Sequence, residues 1–426
     1  MPITVSGELL DFIKASPTPY HALLNLKERL FEEGYVELFE NEKWNIVSGG
    51  KYFVSRGASS LTAFRIPENA NSFRAVLSHV DSPCFKLKQN FIKNSDGGVK
   101  LSVEVYGGPI LDSFYDKVLT LAGRVVTSEE NSVSSHLFKV ENACILPRIA
   151  PHVLKDTKPN AAVDMFPIYS LSDTDVLEKI SQCAGVEKDT ILSHDIYVVN
   201  GERGTLWGEN GEFITSPRID NLQSVFTSLV GFLNSFEETS VPVMCVFDKE
   251  EVGSGGENGA DSTFLYDVLS RISDALGGDR EDFVRRLSAS LFVSADVAHA
   301  RHPNYPECCD AQNTPVMNKG VAIKFNSNGR YTTDGESAGV FMQIAKLAQV
   351  PVQVYHNRSD IVGGSTLGRF SLSHLSVPCV DVGAGIFAMH SANETAGTLD
   401  TEYLARIFEM FYSVHIEKSG NSYTVQ

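Results

Sequence analysis

The stretch VPVMCVFDKEEVGSGG, residues 241–256, constrains the fold more than any other part of the chain. Six of the seven residues in VPVMCVF are apolar, and a short continuous apolar run is the pattern of an inner strand of a parallel sheet. The run stops at Asp248, Lys249, Glu250 and Glu251, and GSGG then turns the chain. Adjacent carboxylates at the end of a buried strand repel each other, and a cation would remove that cost. Neighbouring residues there point in different directions, so one carboxylate can bind a metal while the next handles a proton. Open α/β sheets place their sites outside the carboxyl ends of their strands. An isolated acidic pair is otherwise usually a solvated loop, so the reading depends on the rest of the chain.

The pattern recurs. The strand AVLSHV runs into His79, Asp81 and Pro83; SLFVSADVAHA carries Asp296; VPCVDVGAGIFAMHS carries His390. Asp220 opens a helical pattern in ITSPRIDNLQSVFTSLVGFL. Taken singly, a histidine is usually a satisfied core or surface residue and an aspartate at a helix start an N-cap. At equivalent ends of buried strands, the fold can bring these groups into one crevice. Two histidines and three carboxylates suit two divalent cations if one carboxylate bridges, and the sixth group can take a proton from a water held there.

The remaining texture predicts two domains in the 426 residues. Residues 6–34 read as helix broken at Pro17 and Pro19, and 51–66 as two strands with a turn at Gly57–Ser60. From about residue 91, apolar and polar residues alternate between glycine-rich turns, ending with DIYVVN and GTLWGENGEFI; that is the texture of a barrel or sandwich. The expected fold is therefore α/β, a mixed central sheet flanked by helices over 1–90 and 214–426, with a β-rich, barrel-like domain inserted at 91–213. The segment 155–195 offers no functional reading.

Bulk properties exclude some classes. The net charge is −17, from 36 basic and 53 acidic residues, which argues against nucleic acid and anionic membranes as partners. No signal peptide is apparent, and no run approaches the roughly 18 apolar residues of a membrane span. Seven scattered cysteines without a CxxC fit reduced thiols in a cytoplasm. GSGG lacks the lysine and serine of a phosphate-binding loop. GGSTLG, residues 363–368, reads as a helix N-terminus.

The segments SHVDSPCFKLK, SPRIDN, DKEEVGSGG, SADVAHARHPNY, IKFNSNGRYTT and MHSANE, in that order, resemble the aspartyl aminopeptidase family of co-catalytic zinc metallopeptidases over nearly the whole chain. The resemblance implies that His79 and Asp296 bind one zinc, that Glu251 and His390 bind a second, and that Asp220 bridges them; the ligand set itself does not distinguish zinc from Co2+ or Mn2+ in the looser site. It makes Glu250 the general base and Asp81 the carboxylate that fixes the His79 tautomer, and it marks Asp220–Asn221 as a candidate cis peptide. His299 and Lys324 are implied to receive an acidic substrate side chain, with Tyr331 beside the substrate. A strand-edge lysine and a core tyrosine are the plainer readings of the last two. His152 is implied to reach from one subunit into a neighbour's site. The family implies hydrolysis of peptides with N-terminal Asp or Glu by a homo-oligomer, a tetrahedral dodecamer built from dimers. A related aminopeptidase of broader specificity, a deacylase on a similar fold and a catalytically inactive oligomeric binding protein remain as alternatives.

Overall fold

The computed structural model describes residues 5–95, 97–154, 158–236, 239–420 and 422–426. Its centre is a nine-stranded mixed sheet. The four inner strands, Ser240–Phe247, Ser72–His79, Leu291–Ala295 and Cys379–Gly383, lie side by side and parallel. Every residue of these strands is buried, the consequence of having helices on both faces. Ser60–Arg65 is antiparallel to Ser240–Phe247 and continues the sheet through Lys51–Arg56 to Val36–Leu38. On the other side Val321–Lys324 is antiparallel to Cys379–Gly383 and is followed by Val352–Tyr355.

One face is covered by the helices Val5–Ala15, Pro19–Glu32, Ile219–Asn234, Gly335–Leu347 and Thr398–Ser413, whose apolar stripes share a core with Val76, Met244, Val293 and Val380. The other face is covered by Phe264–Ala275, Arg280–Ser288 and Gly368–Leu375, packed on Phe73, Leu77, Val243 and Phe292. Helix starts follow local chemistry. Asp279 and Asp334 each close a capping box, which satisfies backbone N–H groups that have no partner within the helix.

Between His79 and Ile219 the chain forms a closed barrel in the strand order Ile191–Asn200, Cys84–Ser95, Gly98–Tyr106, Ile168–Ser170, Ser132–Ile145, Val118–Glu129. The last strand pairs back onto the first. The segment without a sequence reading contributes the short strand Ile168–Ser170 and the helix Val176–Ala184, whose Val176 and Ile180 join the barrel core. The hairpin Thr205–Trp207 and Phe213–Ser216 hydrogen-bonds to Glu394–Gly397 rather than to the barrel. Alternation alone could not show this, because an alternating strand pairs equally well with any free edge. The stretch GGSTLG leads into a helix that begins at its last residue, Gly368. Among the described residues no helix is long and apolar enough to cross a membrane.

Ile219–Asn234 and Thr398–Ser413 cross closely at Gly231. A Cβ there would stand 2.6 Å from the Glu409 nitrogen and 2.8 Å from Phe408 Cβ. Because Asp220 sits at the start of this helix, the crossing helps to set its position. Gly231→Leu should therefore lower stability by about 2 kcal/mol or more through overpacking, measured by denaturant unfolding. An unchanged midpoint would show that the two helices separate without cost.

Candidate metal centre

The parallel strands deliver their side chains to one edge of the sheet. His79 ends its strand, Asp296 follows Ala295, and Glu250 and Glu251 follow Phe247 in a short 3-10 turn. Lys249 and His390 adopt left-handed backbone conformations, φ +64° and +69°, which are uncommon outside glycine and turn the chain sharply at both places. Asp220 interrupts the helical geometry at its helix start, and the Asp220–Asn221 peptide is cis.

Asp220 is the hub. One of its carboxylate oxygens lies 3.5 Å from His79 Nε2 and the other 3.5 Å from His390 Nε2. His79 Nε2 is also 3.6 Å from Asp296 Oδ1, and His390 Nε2 is 3.4 Å from Glu251 Oε2. These separations are long for hydrogen bonds. They match the edge of a tetrahedron whose centre is bonded to N and O at 2.0–2.1 Å, about 3.3 Å. Ligand atoms of His79, Asp220 and Asp296 lie within 4.8 Å of one another, as do those of Asp220, Glu251 and His390 and those of His79, Glu250 and Glu251. Asp220 Oδ1 is buried and accepts no hydrogen bond from a described residue, an expensive state unless a cation shares it. This donor set fits two divalent cations, one held by His79, Asp220 and Asp296 and one by Asp220, Glu251 and His390.

The electrostatics agree. Burial, reinforced by Asp296, Asp81 and Asp220, raises Glu250 to about 8. Burial and Asp220 hold Glu251 well above the carboxylate range. Burial alone would lower His79, but Asp220, Asp296 and Asp81 keep it well above its ordinary value. Burial would raise Asp296, yet Lys324 and His79 hold it at about 2.

Asp81 is buried and acts as an anchor. Its side chain is 3.2 Å from His79 Nδ1 and accepts hydrogen bonds from the backbone N–H groups of Glu250 and Glu251, each at 3.1 Å. Its carbonyl lies 3.1 Å from the same His79 nitrogen. Lys324 is buried on an inner strand, which overturns the strand-edge reading; its ammonium donates to the Val297 carbonyl at 3.0 Å, lies 3.7 Å from Asp296 and 5.4 Å from the Tyr331 ring. Tyr331 is buried beside Tyr355, and burial raises its phenol. His299 opens to solvent at the rim of a cavity of ≈ 370 Å³ that Tyr355, Gly363, Gly364 and Ala388 also line. Enough protein surrounds its ring for desolvation, against the pull of Asp220, to hold the imidazole below its ordinary value. His152 is not brought into the cluster. It is exposed on the excursion between Ile145 and Ile168 and makes no hydrogen bond or ion pair with a described residue.

Three contributors escaped the sequence reading. Tyr106 donates to Asp81 at 2.9 Å, the Gly108 carbonyl accepts from His390 Nδ1 at 3.0 Å, and Glu394 accepts from the N–H groups of His390 and Asp220. Glu394 stands within MHSANE, but nothing in its type or spacing separates it from a surface glutamate. Tyr106 and Gly108 lie in a barrel segment whose only visible signal is the turn-forming glycine pair.

The family described as Aminopeptidase I zinc metalloprotease (M18) matches residues 12–412. A probable M18 family aminopeptidase 2 of Clostridium novyi is 40% identical over 429 residues, 97% of this chain and 99% of that one. A cryo-EM structure of the Ape4 and Nbr1 complex contains a chain 34% identical to this one, with a TM-score of 0.93 over 96% of this chain and 85% of its own. The S. cerevisiae mApe1 dodecamer, at 24% identity and a TM-score of 0.85 over 96% of both chains, shares the fold. With the donor set at the sheet edge, these matches establish that the chain belongs to the M18 family of zinc metallopeptidases and is an aminopeptidase.

Proposed function

We propose that this aminopeptidase removes N-terminal aspartate or glutamate from peptides at a centre of two cations bridged by Asp220. The observation that carries the two-cation reading is the placement of both imidazoles 3.5 Å from opposite oxygens of one carboxylate. Bound zinc supplies Lewis acidity for the scissile carbonyl and makes a water easier to deprotonate. Glu250 takes the proton from that water and returns it to the leaving amine; its raised affinity for protons suits both transfers. Asp81, facing His79 Nδ1, fixes the tautomer that leaves Nε2 free to bind. The carboxylates of Glu251 and Asp220 hold the substrate's free α-amino group, which sets the exopeptidase register.

The acidic side chain of the substrate is received by His299 and Lys324, with Tyr331 beside them. A buried ammonium close to the centre supports this, because a desolvated carboxylate needs a charge-assisted partner. One observation favours a broader preference instead: Lys324 already serves Asp296 and the Val297 carbonyl. His152 acts across a subunit boundary, stabilising the oxyanion in a neighbouring site. Ile149, Val153 and Leu154 around it are exposed, Val153 by 71%. Such an apolar patch fits burial against another copy, and the S. cerevisiae relative is a dodecamer. Seven free cysteines support a reducing, cytoplasmic setting.

Glu250→Gln should cut kcat by about 1,000-fold or more while zinc content by mass spectrometry stays at the wild-type value. Retained turnover in the zinc-loaded variant would remove Glu250 as the base. Lys324→Leu should reduce kcat/KM for Asp-X peptides at least tenfold more than for Leu-X peptides, since a lost charge-assisted pair is worth about 1.5–3 kcal/mol. Equal losses on the two substrates would point to the broader preference.

The site also predicts a pH dependence. Glu250 and Glu251 have folded values above their unfolded ones, so in zinc-free protein their contribution to stability falls as pH rises from about 4.5 towards 8. Zinc binds the ionised form of Glu251 and, as a nearby cation, favours the ionised form of Glu250. The gain in Tm on adding a fixed zinc concentration should therefore be larger at pH 8 than at pH 6, as read by differential scanning fluorimetry. A gain independent of pH would contradict the assignment.

A further inference from the structure

We infer that Glu394 is a positioning residue that sets the geometry of one cation position through two of its ligands and touches the other only through the shared Asp220. This role rests on the two-cation reading above. Glu394 is buried at the start of the strand Glu394–Gly397, where its backbone pairs with Ser216, four residues before Asp220. One carboxylate oxygen accepts from the His390 N–H at 2.7 Å and the other from the Asp220 N–H at 2.9 Å. A single side chain thus clamps the backbones of two residues 170 positions apart in sequence: His390, assigned to the second cation, and Asp220, shared by both. The two backbones need such a clamp. His390 has φ +69°, and Asp220 and Asn221 depart from helical geometry, so neither is held by regular secondary structure.

The rest of the cluster is fixed by other means. Asp81 holds His79 and the N–H groups of Glu250 and Glu251, and Asp296 sits at the end of an inner strand with its N–H bonded to the Val382 carbonyl. Glu394 makes no hydrogen bond to His79, Asp296 or Glu251 among the described contacts. Its influence is therefore asymmetric: it reaches the position defined by Asp220, Glu251 and His390, and only through Asp220 the position defined by His79 and Asp296. The side chain is enclosed by protein and acts through the two ligands it orients, so it has no direct part in the reaction. Glu394→Gln keeps the shape but turns an amide NH2 towards a backbone N–H, setting donor against donor.

The test is zinc binding by the full-length chain, measured by competition with a chromogenic chelator and by metal analysis after dialysis. Circular dichroism serves as the check on folding. The expected result for Glu394→Gln is a 10–100-fold weaker affinity for one of two zinc ions, with the other weakened distinctly less. Glu394→Asp keeps the charge on a shorter arm that reaches one N–H, and should give a smaller loss at the same position; it decides the matter if the glutamine variant does not fold. Two zinc ions bound with wild-type affinity in the folded variants would overturn the role. So would equal weakening of both ions, the mark of a merely structural residue. A wild-type chain that binds a single zinc would overturn the two-cation reading and this role with it.

Discussion

Asp81, Asp220, Glu250, Glu251 and Asp296 crowd one buried corner of the sheet edge and repel one another. Two like charges 4.8 Å apart, the limit that the ligand groups satisfy, repel by about 3–4 kcal/mol at the effective dielectric of a protein. Several such pairs together rival the net stability of a folded domain, roughly 5–15 kcal/mol. Lys324 offsets part of this, and hydrogen bonds from backbone N–H groups to Asp81 offset more. What remains fits the proposal of positive charge at two points flanking Asp220. The tetrahedral-edge spacing of the imidazole and carboxylate atoms gives that proposal a defined geometry.

The two structural parts of the chain meet at this corner. The parallel strands bring His79, Asp296 and the Glu250–Glu251 turn to one edge. The barrel supplies the groups that hold them from outside: the Tyr106 hydroxyl on Asp81, the Gly108 carbonyl on His390, and Gly107, where a Cβ would stand 3.1 Å from Glu251 Cβ. Gly107 has φ +69°, so the close approach and the left-handed turn both favour glycine there. The barrel is therefore built into the centre, in addition to carrying the exposed apolar surface around His152. A chain whose barrel shifted would be expected to lose the His390 orientation before it lost its sheet.

Much of the convergence of the candidate site residues was legible because it follows from strand order. Apolar runs that end abruptly in His79, Glu250–Glu251 and Asp296 announce inner parallel strands, and such strands share a carboxyl edge. The barrel was legible as alternation, and its closed six-stranded form accords with that expectation. Other features depend on contacts between segments far apart in sequence, which no local pattern encodes. The hairpin at Thr205–Ser216 pairs with Glu394–Gly397 instead of the barrel. Lys324, readable from sequence as a strand-edge lysine, is buried beside Asp296 because Val321–Lys324 lies inside the sheet. Glu394 and Tyr106 carry no signal in their own neighbourhoods, since each acts on a backbone or side chain brought to it by the fold.

On the proposed reading, one aspartate holds two cations between these strands. An anomalous-scattering map of zinc-loaded crystals, collected on both sides of the zinc edge, tests it most directly. Two peaks about 3.5–4 Å apart are expected, with Asp220 between them, His79 and Asp296 on one and Glu251 and His390 on the other. A single peak, or a pair that Asp220 does not bridge, would contradict it.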